Sequence, residues 1–255
     1  SKGVIAPDFT DIYLRKAAEY EAGGAAAISC LTEPKFFQGS DAYLQAVRQR
    51  VELPILRKDF TLDEYQIYEA KCIGADAVLF ICSLLSTAQL GEYLAQVHEL
   101  GLSALVEAHD LDEVHSALAV GAEIIGVNNR NLKDFTVNPL NSLRLREAIP
   151  QDKIFVAESG ITKASDAAGL KAAGVQAVLV GEALMRSANP AELLRELRQQ
   201  RSVDIVVLSS QLEDMDGYEF LKRLNSLHNR PLLLLQGDDW YSDATASFLR
   251  PDGRQ

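Results

Sequence analysis

The sequence predicts an α/β fold, a (βα)8 TIM barrel, on three observations. Short runs rich in Val, Ile, Leu and Ala alternate with amphipathic segments of helical length, the pattern of repeated βα units with parallel strands. Several of these runs end in polar groups. Leu53-Pro54-Ile55-Leu56 runs into Arg57-Lys58-Asp59, Ile124-Ile125-Gly126-Val127 into Asn128-Asn129-Arg130, Ile154-Phe155-Val156-Ala157 into Glu158-Ser159-Gly160, and Ala177-Val178-Leu179-Val180 into Gly181-Glu182. Finally, Gly23-Gly24, Gly74, Gly101, Gly121 and Gly174 each follow a helical pattern, where a left-handed cap favours glycine. Polar groups that recur at strand ends fit a barrel with its chemistry at one rim.

In chain order, a helix is expected near residues 10–22, closed by the glycine pair, and a strand near 25–31. A helix near 40–50 leads to a strand near 53–57, and a helix near 63–74 to a strand near 76–82. The helix near 87–100 stops at Gly101 before a strand near 103–107, and that near 110–120 stops at Gly121 before a strand near 123–127. Helices near 139–148 and 163–173 precede strands near 153–157 and 177–181, and a helix near 190–200 follows. These are seven strands and eight helices, with a helix first. A closed barrel needs eight strands, each preceding its helix, so the first strand reads as missing from the N-terminus. After Gln200 the pattern changes: residues 203–208 form a strand candidate that would fill the gap, a placement the right-handed crossover rule permits. Two domains are therefore expected, a barrel over 1–200 and a small βαβ fragment with a polar tail over 201–255.

At 255 residues and 47% hydrophobic, the chain can bury a full core. Its formal net charge of -11 works against non-specific attraction to nucleic acid or anionic lipid, so a bound phosphate must be held locally. Cys30, Cys72 and Cys82 are odd in number and lack metal-ligand spacing, which suits reduced, buried thiols in a cytoplasmic protein and argues against a disulfide framework. The apolar runs fall short of the ~20 residues that span a bilayer, and the first residues do not read as a signal peptide. The expectation is a cytoplasmic protein with no membrane or nucleic-acid partner and no metal.

Side chains at strand ends converge on one barrel mouth, so Lys58, Glu107, Asn128, Arg130, Glu158 and Ser159 are candidates for a common site. Lys58 can donate a proton or hold an anion; Glu107 can act as a base if desolvation tunes its proton affinity. The structural alternatives are a salt bridge from Lys58 to Asp59 or a neighbouring carboxylate, and a Glu107 that is solvated or pairs with Arg57. Gly160 and Gly181, the latter followed by Glu182, sit where backbone N–H groups cradle phosphates in such barrels; the alternative is a tight turn that only glycine tolerates. Asn128 and Arg130 suit a carboxylate, Arg through its planar fork. His109 reads as solvent-facing or capping, since no Cys or Ser nucleophile partners it.

Eight segments then carry a resemblance. Residues 1–5 (Ser-Lys-Gly-Val-Ile), 35–40 (Lys-Phe-Phe-Gln-Gly-Ser), 56–60 (Leu-Arg-Lys-Asp-Phe), 65–70 (Tyr-Gln-Ile-Tyr-Glu-Ala) and 106–110 (Val-Glu-Ala-His-Asp) run in unbroken order with 126–132 (Gly-Val-Asn-Asn-Arg-Asn-Leu), 158–161 (Glu-Ser-Gly-Ile) and 180–185 (Val-Gly-Glu-Ala-Leu-Met). Together they resemble indole-3-glycerol-phosphate synthase over about the first 200 residues.

The resemblance implies a cofactor-free lyase of tryptophan biosynthesis. Such an enzyme closes 1-(2-carboxyphenylamino)-1-deoxyribulose 5-phosphate, a small sugar phosphate, into indole-3-glycerol phosphate with loss of carbon dioxide and water. By the same resemblance Lys58 is the general acid for the ketone oxygen and Glu107 handles the proton of the departing hydroxyl. Phe60 lines an aromatic pocket, Asn128 and Arg130 contact the substrate's polar groups, Glu158 and Ser159 support the mouth, and Gly160, Gly181 and Glu182 form the phosphate end. The family pattern also has a first strand bearing Glu-x-Lys, which this sequence does not display, so impaired activity is expected.

The tail has its own resemblance. Asp204-Ile205-Val206-Val207-Leu208, Met215-Asp216-Gly217-Tyr218-Glu219 and Arg230-Pro231-Leu232-Leu233-Leu234-Leu235 are similar to the middle of a response-regulator receiver domain, with Ser209 at the phosphoacceptor position. That implies a structural patch or a docking element for a protein partner rather than phosphorelay, and a natural fusion, a gene fragment or a chimera as its origin. Two rival readings accompany the enzyme: a non-catalytic barrel scaffold that retains phosphate binding, and an interaction module acting through the tail.

Overall fold

The computed structural model describes residues 12–131, 136–199 and 204–209. Within them, eight parallel strands close into a barrel whose strand order follows the chain. These are β1 (Ala27–Leu31), β2 (Ile55–Lys58), β3 (Ala77–Ile81), β4 (Ser103–Ala108), β5 (Ile124–Asn128), β6 (Ile154–Glu158), β7 (Ala177–Val180) and β8 (Asp204–Ser209). Around them lie α1 (Ile12–Gly23), α2 (Asp41–Arg48), α3 (Glu64–Ile73), α4 (Thr87–Glu99), α5 (Leu111–Ala119), α6 (Leu140–Leu145), α7 (Ala164–Ala172), α8 (Glu182–Arg186) and α9 (Pro190–Gln199). None of the described helices is long and apolar enough to cross a membrane.

Local chemistry sets the helix ends. Asp63 and Gln66 form a reciprocal capping box that opens α3, Ser86 and Gln89 do the same for α4, and each box satisfies backbone donors that a helix start leaves orphaned. The α3 helix ends on Gly74 at φ 93°, a left-handed conformation that a side chain would strain. Gly23, in contrast, is the last residue of α1 and is seated against α9, where a Cβ would lie 2.9 Å from Leu194.

Period-two alternation divides the barrel into two apolar layers. Ile28, Cys30, Ile55, Val78, Phe80, Val106, Ile125, Phe155 and Val178 face outward, into one cluster with helix residues Tyr20, Leu44, Ile67, Leu90 and Leu194. Leu56, Leu79, Ile81, Leu105, Val156, Ala177 and Leu179 pack on each other inside the barrel. Each such side chain contributes about 1.5–3 kcal/mol on burial. The inward set on β2 continues from Leu56 to Lys58, and on β4 from Leu105 to Glu107, so the alternation that builds the core also aims these charges inward.

The outward residue beside Lys58 is Arg57, and it is buried. Its guanidinium donates to Thr32 Oγ1 at 3.1 Å and Gln66 O at 2.9 Å, and it pairs with Glu69 at 2.7 Å, Asp41 at 3.1 Å and Asp59 at 3.5 Å. Arg57 and Asp59 lie on the helix side of the sheet, so the alternatives of Lys58 with Asp59 and Glu107 with Arg57 are not formed, while Lys58 does meet neighbouring carboxylates, Glu107 and Glu158. Arg57 clamps α2 and α3 to β2 and fixes the strand that carries Lys58.

Several boundaries differ from expectation. The helix near 139–148 is split into α6 and a tight 3-10 turn over Arg146–Ala148. Arg146 bonds the carbonyls of Ile149 and Gly174 there, which draws the chain in before Pro150. The five-residue α8 was not anticipated in the linker before α9. Cys72 is exposed, unlike buried Cys30 and Cys82. The expected strand at 203–208 is β8, one residue later, pairing in parallel with β7 and with β1 in registers such as Leu179↔Val206 and Ile28↔Val207. The motif at 1–5 and the receiver-like segments beyond Ser209 lie outside the described residues.

Because β8 joins β7 to β1, ending the chain after Gln200 leaves two bare strand edges. Loss of the cooperative thermal transition, with concentration-dependent aggregation, is the expected result by scanning calorimetry and light scattering. An unchanged transition would show that the barrel does not need β8.

Candidate active site

Three strands deliver the inner charges and a fourth an amide. The Lys58 ammonium at the end of β2 lies 3.4 Å from Glu107 Oε2 on β4 and 3.9 Å from Glu158 Oε2 on β6. The lysine side chain is 13% exposed and each carboxylate 2%, so the three charges meet out of bulk water. From the end of β5, Asn128 donates its Nδ2 to Glu107 Oε1 at 3.1 Å. Asn128 Oδ1 accepts from Ser159 Oγ at 2.8 Å and from the Arg130 backbone N–H at 3.0 Å. One amide therefore orients the base candidate and ties down the two loops that follow β5 and β6.

Glu158 is admitted by a missing side chain. A Cβ on Gly126 would stand 2.1 Å from Glu158 Oε1, so no larger residue fits the β5 position beneath it. That Oε1 is buried without a hydrogen-bond partner among protein groups. Ser159 has φ 65° and Gly160 φ 78°, two successive left-handed residues. For Ser159 this costs of order 1–3 kcal/mol, and it is held by its hydroxyl bond to Asn128 and by Asn129 Nδ2 donating to its carbonyl at 3.1 Å. Gly160 combines positive φ with close packing, since a Cβ would lie 2.7 Å from Val137.

His109 departs from expectation. It is not solvent-facing: its Nε2 lies 3.3 Å from Glu107 Oε1, and its Nδ1 lies 3.1 Å from Glu113 Oε2. The parity of β4 carries the inward series 105, 107, 109 past the end of the strand, and His109 and Glu113 are four residues apart across the start of α5. Both signals were available in the sequence.

Phe60 sits at the mouth with Phe37, ring centroids 4.7 Å apart, and Phe36, edge-on at 6.2 Å. The loop bearing Phe36 and Phe37 is shaped by buried Glu33, which accepts the backbone N–H groups of Lys35, Phe36 and Phe37 at 2.8, 2.5 and 2.8 Å. Composition gave no hint of that carboxylate's structural task. Across the mouth, Arg130 pairs with Glu182 at 3.8 Å, and Glu182 with Arg186 at 3.1 Å. Gly181 caps α8 directly after β7. The described residues contain no group of three or more His, Cys, Asp or Glu side chains that could hold a metal ion.

Burial opposes every charge here, and the network decides which ones survive. For Lys58, desolvation is outweighed by Glu107 and Glu158, so its pKa stands above the ordinary lysine value. For Glu107, desolvation is outweighed by Lys58, His109 and Asn128, and its pKa falls well below the usual carboxylate range. Glu158 takes the opposite course: burial first, then the charge of Glu107, push it up to about 8 against the pull of Lys58. His109 loses to burial but gains more from Glu107 and Glu113, and is raised to about 10. The surroundings thus favour the charged forms of Lys58, His109 and Glu107 and the protonated form of Glu158. Two interacting carboxylates share their titration, so these assignments describe the pair.

A family model described as indole-3-glycerol phosphate synthase matches residues 1–197. Among curated relatives, the indole-3-glycerol phosphate synthase of Ruminiclostridium cellulolyticum is 57% identical over 198 residues, covering 78% of this chain and 75% of the relative. That of Endomicrobium trichonymphae is 57% identical over 198 residues, covering 78% and 76%. Among solved structures, thiamine phosphate pyrophosphorylase from Pyrococcus furiosus matches with a TM-score of 0.59 at 19% identity, over 73% of this chain and 88% of that one. That likeness concerns the fold alone.

Two outcomes follow from the site. Glu158 is raised from 4.5 to about 8 and His109 from 6.5 to about 10, so each contributes stability that is complete below its unfolded value and lost as pH rises through its folded one. Urea midpoints should therefore fall between the lower and upper of these values, with Glu158→Gln removing the part that runs from 4.5 to about 8; a flat profile would contradict the assignment. Gly126→Ala should cost about 1–3 kcal/mol by the same measurement, because its methyl group displaces the Glu158 carboxylate.

Proposed function

We propose that this chain, which belongs to the indole-3-glycerol phosphate synthase family, uses Lys58 and Glu107 as its proton-transfer pair. Its function is that of the family, the formation of indole-3-glycerol phosphate in tryptophan biosynthesis, a lyase reaction on a small phosphorylated substrate. The single observation that carries the residue assignment is the 3.4 Å approach of a buried ammonium to a buried carboxylate at the barrel mouth.

The substrate's aryl ring stacks among Phe60, Phe36 and Phe37, where an aromatic face is favoured over water. The ring carbon that bears the carboxylate attacks the ketone carbon, and negative charge grows on the ketone oxygen. Lys58 donates a proton to that oxygen; an alkoxide is a stronger base than an amine, so the transfer runs downhill even with the lysine's raised affinity. Carbon dioxide then leaves with its bonding pair returned to the ring. The new hydroxyl departs as water: Glu107, held ionised, takes the proton that the adjacent methylene carbon loses as the ring double bond forms and delivers it to the departing oxygen, so that no proton is gained or lost overall. Asn128 and Ser159 fix Glu107 and the β6 loop, Glu158 holds Lys58 in place from the far side, and Arg130 meets the substrate's polar groups. Gly160 and Gly181 form the phosphate end through their backbones. Glu182 serves that end by holding Arg130, since its own carboxylate repels a phosphate.

We further infer that β8 stands where the family's Glu-x-Lys strand would stand, so that the segment over 201–255, appended to the family-like unit over 1–200, supplies the barrel's eighth strand. This reading is supported by the pairing of β8 with both β7 and β1. The sequence of β8, Asp204-Ile205-Val206-Val207-Leu208-Ser209, brings no lysine. That favours a second reading, a barrel that binds the phosphate and turns over slowly or not at all, with the receiver-like tail as a docking element.

Lys58→Ala and Glu107→Gln should each lower kcat by about 10²–10⁴-fold, followed by growth of indole fluorescence. Binding of the substrate without turnover in the unmutated protein would favour the scaffold. Turnover that survives Lys58→Ala would refute the assignment.

A further inference from the structure

The Glu107 carboxylate has two oxygens and two sets of neighbours. Its Oε2 faces Lys58, while Oε1 accepts from the Asn128 amide at 3.1 Å and stands 3.3 Å from His109 Nε2, an ion-pair approach without the alignment of a hydrogen bond. His109 does not sit there by its own torsions alone. Glu113, on the first turn of α5, accepts from the His109 backbone N–H at 2.7 Å and lies 3.1 Å from its Nδ1. Asn141 Nδ2 donates to the carbonyls of both His109 and Asn128, at 3.1 and 3.3 Å, and so fixes the ends of β4 and β5 against each other. The imidazole is thus held between two carboxylates, one inside the barrel and one at its rim.

We propose that His109, gripped by Glu113, is a positioning residue for the reaction, a fixed cation that keeps Glu107 ionised and turned toward Lys58. The proposal rests on the reading of Glu107 as the proton acceptor. Lys58 meets Glu107 at Oε2, whereas His109 Nε2 stands on the Oε1 side of the same carboxylate. With His109 the count balances: Lys58 and His109 oppose Glu107 and Glu113, and Glu158 is left to carry the proton. The ionisable groups that act on the imidazole are Glu107 on β4 and Glu113 on α5, with Glu158 on β6 farther off. None of these is a cation that could replace His109 at Glu107 Oε1.

The test compares the full chain with His109→Asn, His109→Gln and Glu113→Gln. Carbon-13 carboxyl NMR follows the two titration steps of the Glu107–Glu158 pair, and kcat/KM is measured against pH. In both His109 variants the steps should move to higher pH, the lower one by about one unit, and the acid limb of kcat/KM should follow. Glu113→Gln should move them in the same direction by less, and should have no further effect once His109 is replaced. Should His109→Asn fail to fold, His109→Gln and Glu113→Gln carry the same test. Steps that stay in place in folded variants would overturn the proposal. If the unmutated chain shows no turnover, the NMR titration alone decides the role of His109, and the catalytic reading falls separately.

Discussion

One ammonium facing two carboxylates inside a closed sheet is the constraint on which the rest of the molecule depends. Removing three charges from water costs several kcal/mol per ion, and their attraction offsets this only when geometry and supporting hydrogen bonds are good. The protein meets the condition by protonating one partner. Glu158, with its Oε1 over the bare face of Gly126 and no donor to satisfy it, is the carboxylate that keeps a proton; Glu107, with Lys58, Asn128 and His109 around it, is the one that does not. Two identical side chains at equivalent strand ends are given different tasks by their surroundings.

The fold serves that division from both sides of the sheet. Alternation aims Lys58 and Glu107 inward, and the residue next to Lys58, Arg57, anchors the strand from outside through α2, α3 and Asp59. Asn128 and Asn141 link β4, β5 and β6 at the rim, and the strained backbone at Ser159 is kept by Asn128 together with Asn129. Closure completes the arrangement, since β8 removes the edges that β7 and β1 would expose.

Much of this was legible in the sequence. The strands were found because buried parallel strands are short, apolar and bounded by polar rims, and Lys58, Glu107, Asn128, Glu158 and Ser159 were found because those rims recur. The missed features have local causes. His109 was set aside for lack of a nucleophile, although the parity of residues 105, 107 and 109 points it inward. Glu33 and Gly126 act through backbone and empty space, which leave no mark in a pattern of residue types. Arg57 and Lys58 are adjacent charges with opposite faces, and only the register of β2 says which one is inside. The split of the helix near 139–148 depends on Arg146 reaching carbonyls in other segments, a tertiary contact that periodicity does not carry.

The measurement closest to the central claim is infrared difference spectroscopy across neutral pH, which reads the carbonyl stretch of a protonated carboxylic acid directly. The account requires such a band near neutrality, fading as pH passes about 8 and absent from Glu158→Gln. No band at neutral pH, or a band that disappears with Glu107→Gln while Glu158→Gln retains it, would contradict it.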